Sequence, residues 1–400
     1  MRQPPPFAST DTSPATGLRP GGRDAVTWYA YLLLGYFTYV VGIQGNILPF
    51  LRDELDLSYR AVSLHTSAIA VGVILIGLFG ERVIRAVGRR TMLVVSTLGS
   101  ATAAVLLTLA PSMAVSIGSC LLFGAIGAFI PAIVNGIFSD LGGARRDIAY
   151  AESNAVAYLF ATCAPVVTGL CVWLGWDWRM AVLAGAAAGV AIVIGFARFP
   201  VPPSEDAHKA DSTPLPPAFW CYWTLLGMAV AVEFSGLLWA PAYLEQVIGL
   251  DPTSAAIGAA AFFAGMLIGR VGGAALFRVV RIRLLFLAAS ATLFAGFALY
   301  WGAIRPGFAI AGLFVVGLGT ALLFPLAISF AIAAAGPARE RAAARVMLGP
   351  GRAMLLAPPL LGAIADSAGL RTAILVTPAF MAIGVAAFFL GEAAERRKAD

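Results

Sequence analysis

The sequence predicts an all-α polytopic membrane protein, with twelve transmembrane helices in two pseudo-symmetric six-helix bundles. Of the 400 residues, 60% are hydrophobic and only 12% are charged, whereas roughly a quarter of a soluble domain is charged. The apolar residues form unbroken runs of about 20, the length that crosses a bilayer as a helix. The runs lack the polar–apolar alternation of outer-membrane strands, and the 43 glycines suit close helix packing in lipid.

The apolar runs define twelve spans, divided in the middle by one long polar segment. We place the spans at 26–48, 61–80, 91–110, 113–138, 148–173, 178–198, 218–244, 254–277, 283–304, 307–334, 342–365 and 371–391. The polar composition of residues 1–24 predicts a disordered cytoplasmic tail. Five segments result: this tail, 1–24; the N-terminal bundle, 25–198; a proline-rich cytoplasmic linker, 199–217; the C-terminal bundle, 218–391; and a cytoplasmic tail, 392–400.

The distribution of basic residues predicts the orientation in the membrane. Twenty of the 27 Lys and Arg residues fall on the side of the two termini and five on the other side. Because Lys and Arg concentrate in cytoplasmic loops, both termini are predicted to be cytoplasmic in a multi-pass cell (inner or plasma) membrane protein. The net charge of +6 is accounted for in this way, so we expect no nucleic-acid partner. The four cysteines form no CxxC pair, and we expect no metal or cofactor.

The two halves share features at a nearly constant offset, which predicts a duplicated six-span unit. Two motifs recur at an offset of 193: Ala164-Pro165-x-x-x-Gly169 as Ala357-Pro358-x-x-x-Gly362, and Arg146-Asp147 as Arg339-Glu340. Two proline pairs follow at 192 and 194: Pro49 with Pro241, and Pro131 with Pro325. We interpret Pro49 and Pro241 as the ends of spans 1 and 7.

This organisation resembles the major facilitator superfamily over residues 25–391. The loop from Gly80 to Arg90 is similar to that superfamily's signature of Gly, an acid, then Arg-x-Gly-Arg-Arg, although the spacing differs by one residue. A weaker copy, Gly269-Arg270-Val271-Gly272-Gly273, lies in span 8, and the string from Gly42 to Asn46 resembles sugar permeases related to fucose permease. The resemblance implies that spans 1, 4, 7 and 10 line a central cavity.

Charged residues deep in the spans are the first candidates for function, because an ionised side chain costs several kcal/mol in hydrocarbon. Glu233 lies near the middle of span 7 and is predicted to bind substrate and to couple transport to protons. Arg352 follows Gly349-Pro350-Gly351 and is predicted to stand at a helix break that lines the cavity. It would hold an anionic group or a sugar hydroxyl, or neutralise Glu233. The alternative is a static ion pair that fixes helix packing.

The remaining candidates divide into a cavity set and a gate set. The predicted substrate-binding residues besides Glu233 and Arg352 are Gln44, Asn46, Asn135, Tyr39 and Trp239. At most one of Gln44 and Asn46 is expected to face the cavity, because residues two apart point to different faces of a helix. The predicted cytoplasmic gate residues are Glu81, Arg85, Arg89, Glu152, Arg270 and Arg345. Arg270 is expected to lie at shallow depth, Glu152 to pair with Arg345 across the halves, and His65 to be solvated at the membrane interface.

These features favour secondary active transport of a small organic solute by alternating access, with proton coupling and with a sugar or organic acid as substrate. The alternative is proton-antiport efflux of drugs or metabolites. A membrane-embedded enzyme is disfavoured, because the chain has no His-Glu-x-x-His or Gly-x-Ser-x-Gly motif, and the absence of a phosphate-binding loop excludes ATP as the driving force within this chain. The expected partners are the solute, protons and the lipid bilayer, with the protein as a monomer.

Overall fold

The computed structural model describes residues 25–141, 143–196, 201, 214–276, 279–338, 342, 345–346 and 348–399. Within these residues every span is helical, with bounds Ala25–Glu54, Tyr59–Val87, Arg89–Thr108, Met113–Gly127 plus Phe129–Ser139, Gly143–Trp173, Arg179–Gly195, Pro217–Gln246, Pro252–Leu276, Ile282–Gly302, Pro306–Thr320 plus Leu323–Ala334, Leu348–Ala368, and Leu370–Ala373 plus Val376–Ala399. Eleven of these spans are long and apolar enough to cross a membrane, and span 6 is a shorter apolar helix of 17 residues. The predicted helical membrane fold is confirmed.

Some predicted segments lie outside the described residues. These are the tail 1–24, most of the linker 199–217, and the loop pair Arg339-Glu340. The last helix continues to Ala399, through residues that the sequence assigned to the C-terminal tail.

The repeated prolines act in the same way in both halves. The prediction that Pro49 and Pro241 end their helices is wrong. Each helix continues for five more residues. A proline removes one backbone hydrogen bond, and a long membrane helix tolerates that loss. Pro131 and Pro325 instead follow short interruptions, at Ala128 in span 4 and at residues 321–322 in span 10. The proline ring crowds the carbonyl four residues earlier, which accounts for the position of both interruptions.

Among the described residues, the hydrophobic core that the two bundles share lies mainly at one face. We define the terminal face as the side where span 1 begins and span 12 ends, and the far face as the opposite side. One buried cluster lies almost wholly in the N-terminal bundle and a second lies in the C-terminal bundle. A third cluster joins Leu48 and Val62 of the first half to Leu237 and Leu361 of the second. These four residues lie in the far-face parts of their helices, so the halves are held together there.

Contacts along spans 2 and 11 show where the halves separate. Near the middle of the pair, the Ser67 hydroxyl donates a hydrogen bond to the Leu355 carbonyl oxygen at 2.8 Å. A Cβ on Gly351 would lie 2.9 Å from Ile74. Beyond Ile74, span 2 continues to Val87 through mostly exposed residues. The halves are therefore closed at the far face and open toward the terminal face.

Close backbone contact between spans 1 and 7 requires glycine at position 45. A Cβ on Gly45 would lie 1.9 Å from the carbonyl oxygen of Leu237, which is far inside van der Waals contact. Small residues allow such approach between membrane helices and increase their packing contacts. The far-face closure thus depends on the missing side chain of Gly45.

We predict that Gly45→Ala lowers the thermal stability of the purified protein. The added methyl group forces spans 1 and 7 apart, and overpacking of this kind costs about 1–3 kcal/mol. The matched control is Gly118→Ala in span 4, where a Cβ would meet open space. Thermal unfolding in detergent, followed by tryptophan fluorescence, should show a lower midpoint for Gly45→Ala only. Equal midpoints for the two variants would contradict the proposed packing.

Candidate functional site

Glu233 lies at mid-depth between the two halves. It is 16 residues after the first residue of span 7 and 13 before the last, which places it about 24 Å from one end and about 20 Å from the other at 1.5 Å per residue. Its side chain is half-buried. The hydroxyl of Tyr158, in span 5 of the other half, donates a hydrogen bond to Glu233 Oε1 at 2.9 Å. The carboxylate therefore has a polar contact that crosses from one half to the other.

Arg270 contacts the same tyrosine. Its guanidinium carbon lies 4.2 Å from the centroid of the Tyr158 ring, and its Nη1 donates a hydrogen bond to Asn154 Oδ1 at 3.3 Å. The prediction that Arg270 lies at shallow depth is wrong for the end of its side chain, because the guanidinium contacts Tyr158. Side chains on a helix tilt toward the helix N-terminus, and span 8 begins at the far face. The long side chain therefore reaches back toward the depth of Glu233.

Arg352 occupies a different environment from the predicted one. The helix is continuous from Leu348 through Arg352, so there is no break at Pro350. The side chain is exposed, with its guanidinium carbon 5.1 Å from the ring centroid of Trp223. Span 11 begins at the terminal face, so the helix directs this side chain toward that face. Arg352 therefore contacts Trp223, near the terminal end of span 7, and forms no ion pair with Glu233.

Gln44 and Asn46 are both buried, but they face different surroundings. Gln44 lines a cavity of about 20 Å³ together with Ala103 and Ser119 of spans 3 and 4, inside the N-terminal half. Asn46 follows Gly45, which packs on span 7, and its Nδ2 donates to the Gly42 carbonyl at 3.3 Å. The side-chain oxygens of both residues are buried without a hydrogen-bond partner. The prediction that Gln44 lines the central cavity is therefore wrong, because its side chain lies inside the N-terminal half.

Three other predicted substrate-binding residues lie away from Glu233. The Tyr39 hydroxyl donates to the Ala181 carbonyl at 2.8 Å, which places Tyr39 against span 6 within the N-terminal half. Trp239 is buried in the far-face core. Asn135 is exposed in the terminal half of span 4, and its carbonyl oxygen accepts a hydrogen bond from Tyr150, two turns along span 5 from Tyr158. The sequence predicts which helices carry these three residues, but helix packing directs their side chains away from Glu233.

Most predicted gate residues make contacts within one half. Arg85 pairs with Glu81 on its own helix at 3.4 Å, and Arg89 forms an ion pair with Asp140 at the end of span 4. Glu81, Arg85 and Arg89 border a cavity of about 340 Å³ between spans 2 and 4. The Tyr31 hydroxyl donates to Glu152 at 2.9 Å.

Arg345 is placed in the C-terminal half, where its carbonyl oxygen accepts a hydrogen bond from Trp223 Nε1 at 3.1 Å. The pairing of Glu152 with Arg345 stays a prediction. His65 is corrected, because it is buried and its Nε2 lies 2.7 Å from the Ser116 hydroxyl.

A contact that the sequence analysis missed joins the halves at the far face. Asp366, near the C-terminal end of span 11, accepts hydrogen bonds from the backbone N–H groups of Tyr59 at 2.7 Å and Arg60 at 2.9 Å. These are free donors in the first turn of span 2. An acidic residue at a helix C-terminus is unfavourable for its own helix dipole. That mismatch is the sequence signal that could have indicated a partner elsewhere.

Two helical halves with a carboxylate and a guanidinium at mid-depth have the architecture of a membrane transporter. The sequence profile described as Major Facilitator Superfamily matches residues 30–344, and the chain belongs to that family. A transporter of this family is not an enzyme. The finer resemblance of span 1 to sugar permeases stays a prediction.

Solved structures of transporters share the fold. A bacterial homologue of the human lysosomal transporter Spinster, in an inward-facing and occupied conformation, matches with a TM-score of 0.73 and 16% identity, over 92% of this chain and 96% of that chain. A point mutant of the nucleoside transporter NupG matches with a TM-score of 0.72 and 13% identity, over 92% and 99%. The human organic anion transporter MFSD10 (TETRAN) matches with a TM-score of 0.66 and 15% identity, over 92% and 98%. No curated protein matches the sequence closely.

We predict that Asp366→Ala opens the far face. The substitution removes both acceptors from the first turn of span 2, and loss of a helix cap costs about 1 kcal/mol, or roughly a fivefold shift between two conformations. Spin labels at Asp56 and Ser367, in a cysteine-free background, report the distance between the far ends of spans 2 and 11.

The control is Asp251→Ala, because Asp251 accepts a hydrogen bond from the Ser254 N–H within its own half. We expect a longer-distance population for Asp366→Ala and none for Asp251→Ala. An unchanged distance distribution in both variants would show that Asp366 does not hold the halves together.

Proposed function

We propose that this protein is a secondary active transporter that moves a small organic solute across the cell membrane by alternating access. The observation that supports this function best is the hydrogen bond from Tyr158 to Glu233. It joins the two halves at mid-depth, on the side where they open. Because rocking of the halves would stretch or restore this bond, the state of Glu233 is linked to the conformation of the whole protein. A sugar or an organic acid suits a site with few, strongly polar groups.

Glu233 is proposed to couple transport to protons. An ionised carboxylate is costly inside the bilayer unless it has a partner or water. When both faces close around the site, water is excluded, and a proton on the carboxylate removes that cost. The phenolic hydroxyl of Tyr158 serves both states, because it donates to a carboxylate oxygen whether or not the other oxygen carries a proton.

Proton-antiport efflux of drugs or metabolites is the second candidate. A cationic amphiphile would need free aromatic faces near a carboxylate. Tyr158 and Trp223, however, already have one face occupied by Arg270 and Arg352. This arrangement favours the first candidate.

We predict that Glu233→Gln separates solute exchange from proton movement. Proteoliposomes containing the wild type or the variant are tested for counterflow of glucose, lactate and tetraphenylphosphonium, with internal pH recorded. The amide preserves an acceptor for Tyr158 but cannot carry a proton at neutral pH. Solute exchange should persist while solute-driven proton movement is lost.

The matched control is Glu54→Gln, which changes an exposed carboxylate paired with Arg179 in the N-terminal half and should retain proton movement. If Glu233→Gln leaves both exchange and proton flux at wild-type values, Glu233 has a structural role. Solute movement driven outward by an inward proton gradient would instead favour the efflux candidate.

A further inference from the structure

The guanidinium of Arg270 has hydrogen-bonding capacity that the protein does not use. Its Nε is buried without a partner, and the bond from Nη1 to Asn154 Oδ1 is long, at 3.3 Å. A guanidinium carries five N–H donors. No carboxylate lies within ion-pair distance of Arg270 in the part of the chain that the structure describes. A half-buried cation in this condition is costly unless something else neutralises it.

Tyr158 keeps Arg270 available. Its hydroxyl is directed to Glu233 and its ring face covers the guanidinium. Tyr158 thus contacts both opposite charges, and no ion pair joins Glu233 to Arg270. An aromatic face stabilises a cation without using its N–H donors. Apart from the bond to Asn154, no hydrogen bond of the guanidinium is found among the described residues.

We propose that Arg270 binds a carboxylate of the transported solute, which makes the substrate an organic anion and not a neutral sugar. The fork of N–H groups on a guanidinium matches the two oxygens of a carboxylate. A neutral sugar would accept hydrogen bonds but would leave the guanidinium without an anion bonded directly to it. Asn154 acts as a positioning residue, because its amide oxygen holds Nη1 and so fixes the plane of the fork.

The charge near the site supports an anion. Arg352, exposed beside Trp223 toward the terminal face, adds a second cation to the approach. Among the described residues, Glu233 is the one carboxylate that contacts Tyr158. Like charges that line an approach raise the local concentration of an oppositely charged solute. Arg352 therefore attracts anions, and Arg270 binds them.

This inference rests on the proposed transport function, and matched pairs of probes test it. Lactate and lactamide, and benzoate and benzamide, differ in the carboxylate alone. Each is added to the purified protein, and thermal stabilisation is measured for the wild type, Arg270→Gln, Arg270→Lys and the control Arg283→Gln. Arg283 is exposed and pairs with Glu392 within the C-terminal half. Counterflow of the same probes is measured in proteoliposomes.

We expect at least one carboxylate to stabilise the wild type while its amide does not. Its apparent affinity should fall about tenfold or more in Arg270→Gln, fall less in Arg270→Lys, which keeps the charge but loses the fork, and stay unchanged in Arg283→Gln. The Lys variant keeps the test decisive if Arg270→Gln fails to fold.

Equal binding of acid and amide, or unchanged carboxylate affinity in both Arg270 variants, would overturn the inference. Counterflow of glucose without any response to carboxylates would overturn it and leave the transport function standing. Absence of counterflow for every solute would instead count against the transport function itself, and the inference would fall with it.

Discussion

A carboxylate and a guanidinium at mid-depth in a bundle of apolar helices each need a polar neighbour, and here they share one. Tyr158 donates its hydroxyl to Glu233 and presents its ring to Arg270. The tyrosine belongs to the first half and both charges belong to the second. Stability of the charges in the bilayer is thus tied to the position of one half relative to the other. A static ion pair between Glu233 and Arg270 would have satisfied both charges without involving the first half at all.

The far-face closure sets the geometry in which this contact forms. Spans 1 and 7 approach at Gly45, and Asp366 caps the first turn of span 2. Both contacts use backbone atoms, which are fixed by the helices, so they define the relation of the halves more tightly than contacts between long side chains would. Beyond the middle of the bilayer the two cores are separate. Under the proposed alternating access, the halves would move relative to each other on the side where Tyr158 contacts Glu233.

The sequence predicted the fold and one member of the site, and the reason lies in what a one-dimensional pattern contains. Apolar length gives the spans, and a lone acid in the middle of span 7 is conspicuous. Position in the sequence gives the depth of a Cα atom, however, and not the depth of the end of a long side chain. The predicted depths of the Arg270 and Arg352 guanidinium groups were therefore reversed. Helix polarity brings the Arg270 side chain toward mid-depth and directs Arg352 toward the terminal face. Tyr39 and Gln44 failed for another reason: which neighbour a helix face meets is tertiary information that a single chain does not carry.

Charge balance connects the proposed anion site with the proposed proton site. In the empty protein, Glu233 and Arg270 leave the centre neutral. A solute carboxylate on Arg270 would make the centre negative by one charge, and closing the halves would then move an uncompensated charge into a dry cavity, which is expensive. A proton on Glu233 restores neutrality. Under the proposed roles, the anion and the proton would therefore enter the occluded state together. Tyr158 contacts both Glu233 and Arg270. Through this residue, binding at one site would change the affinity of the other.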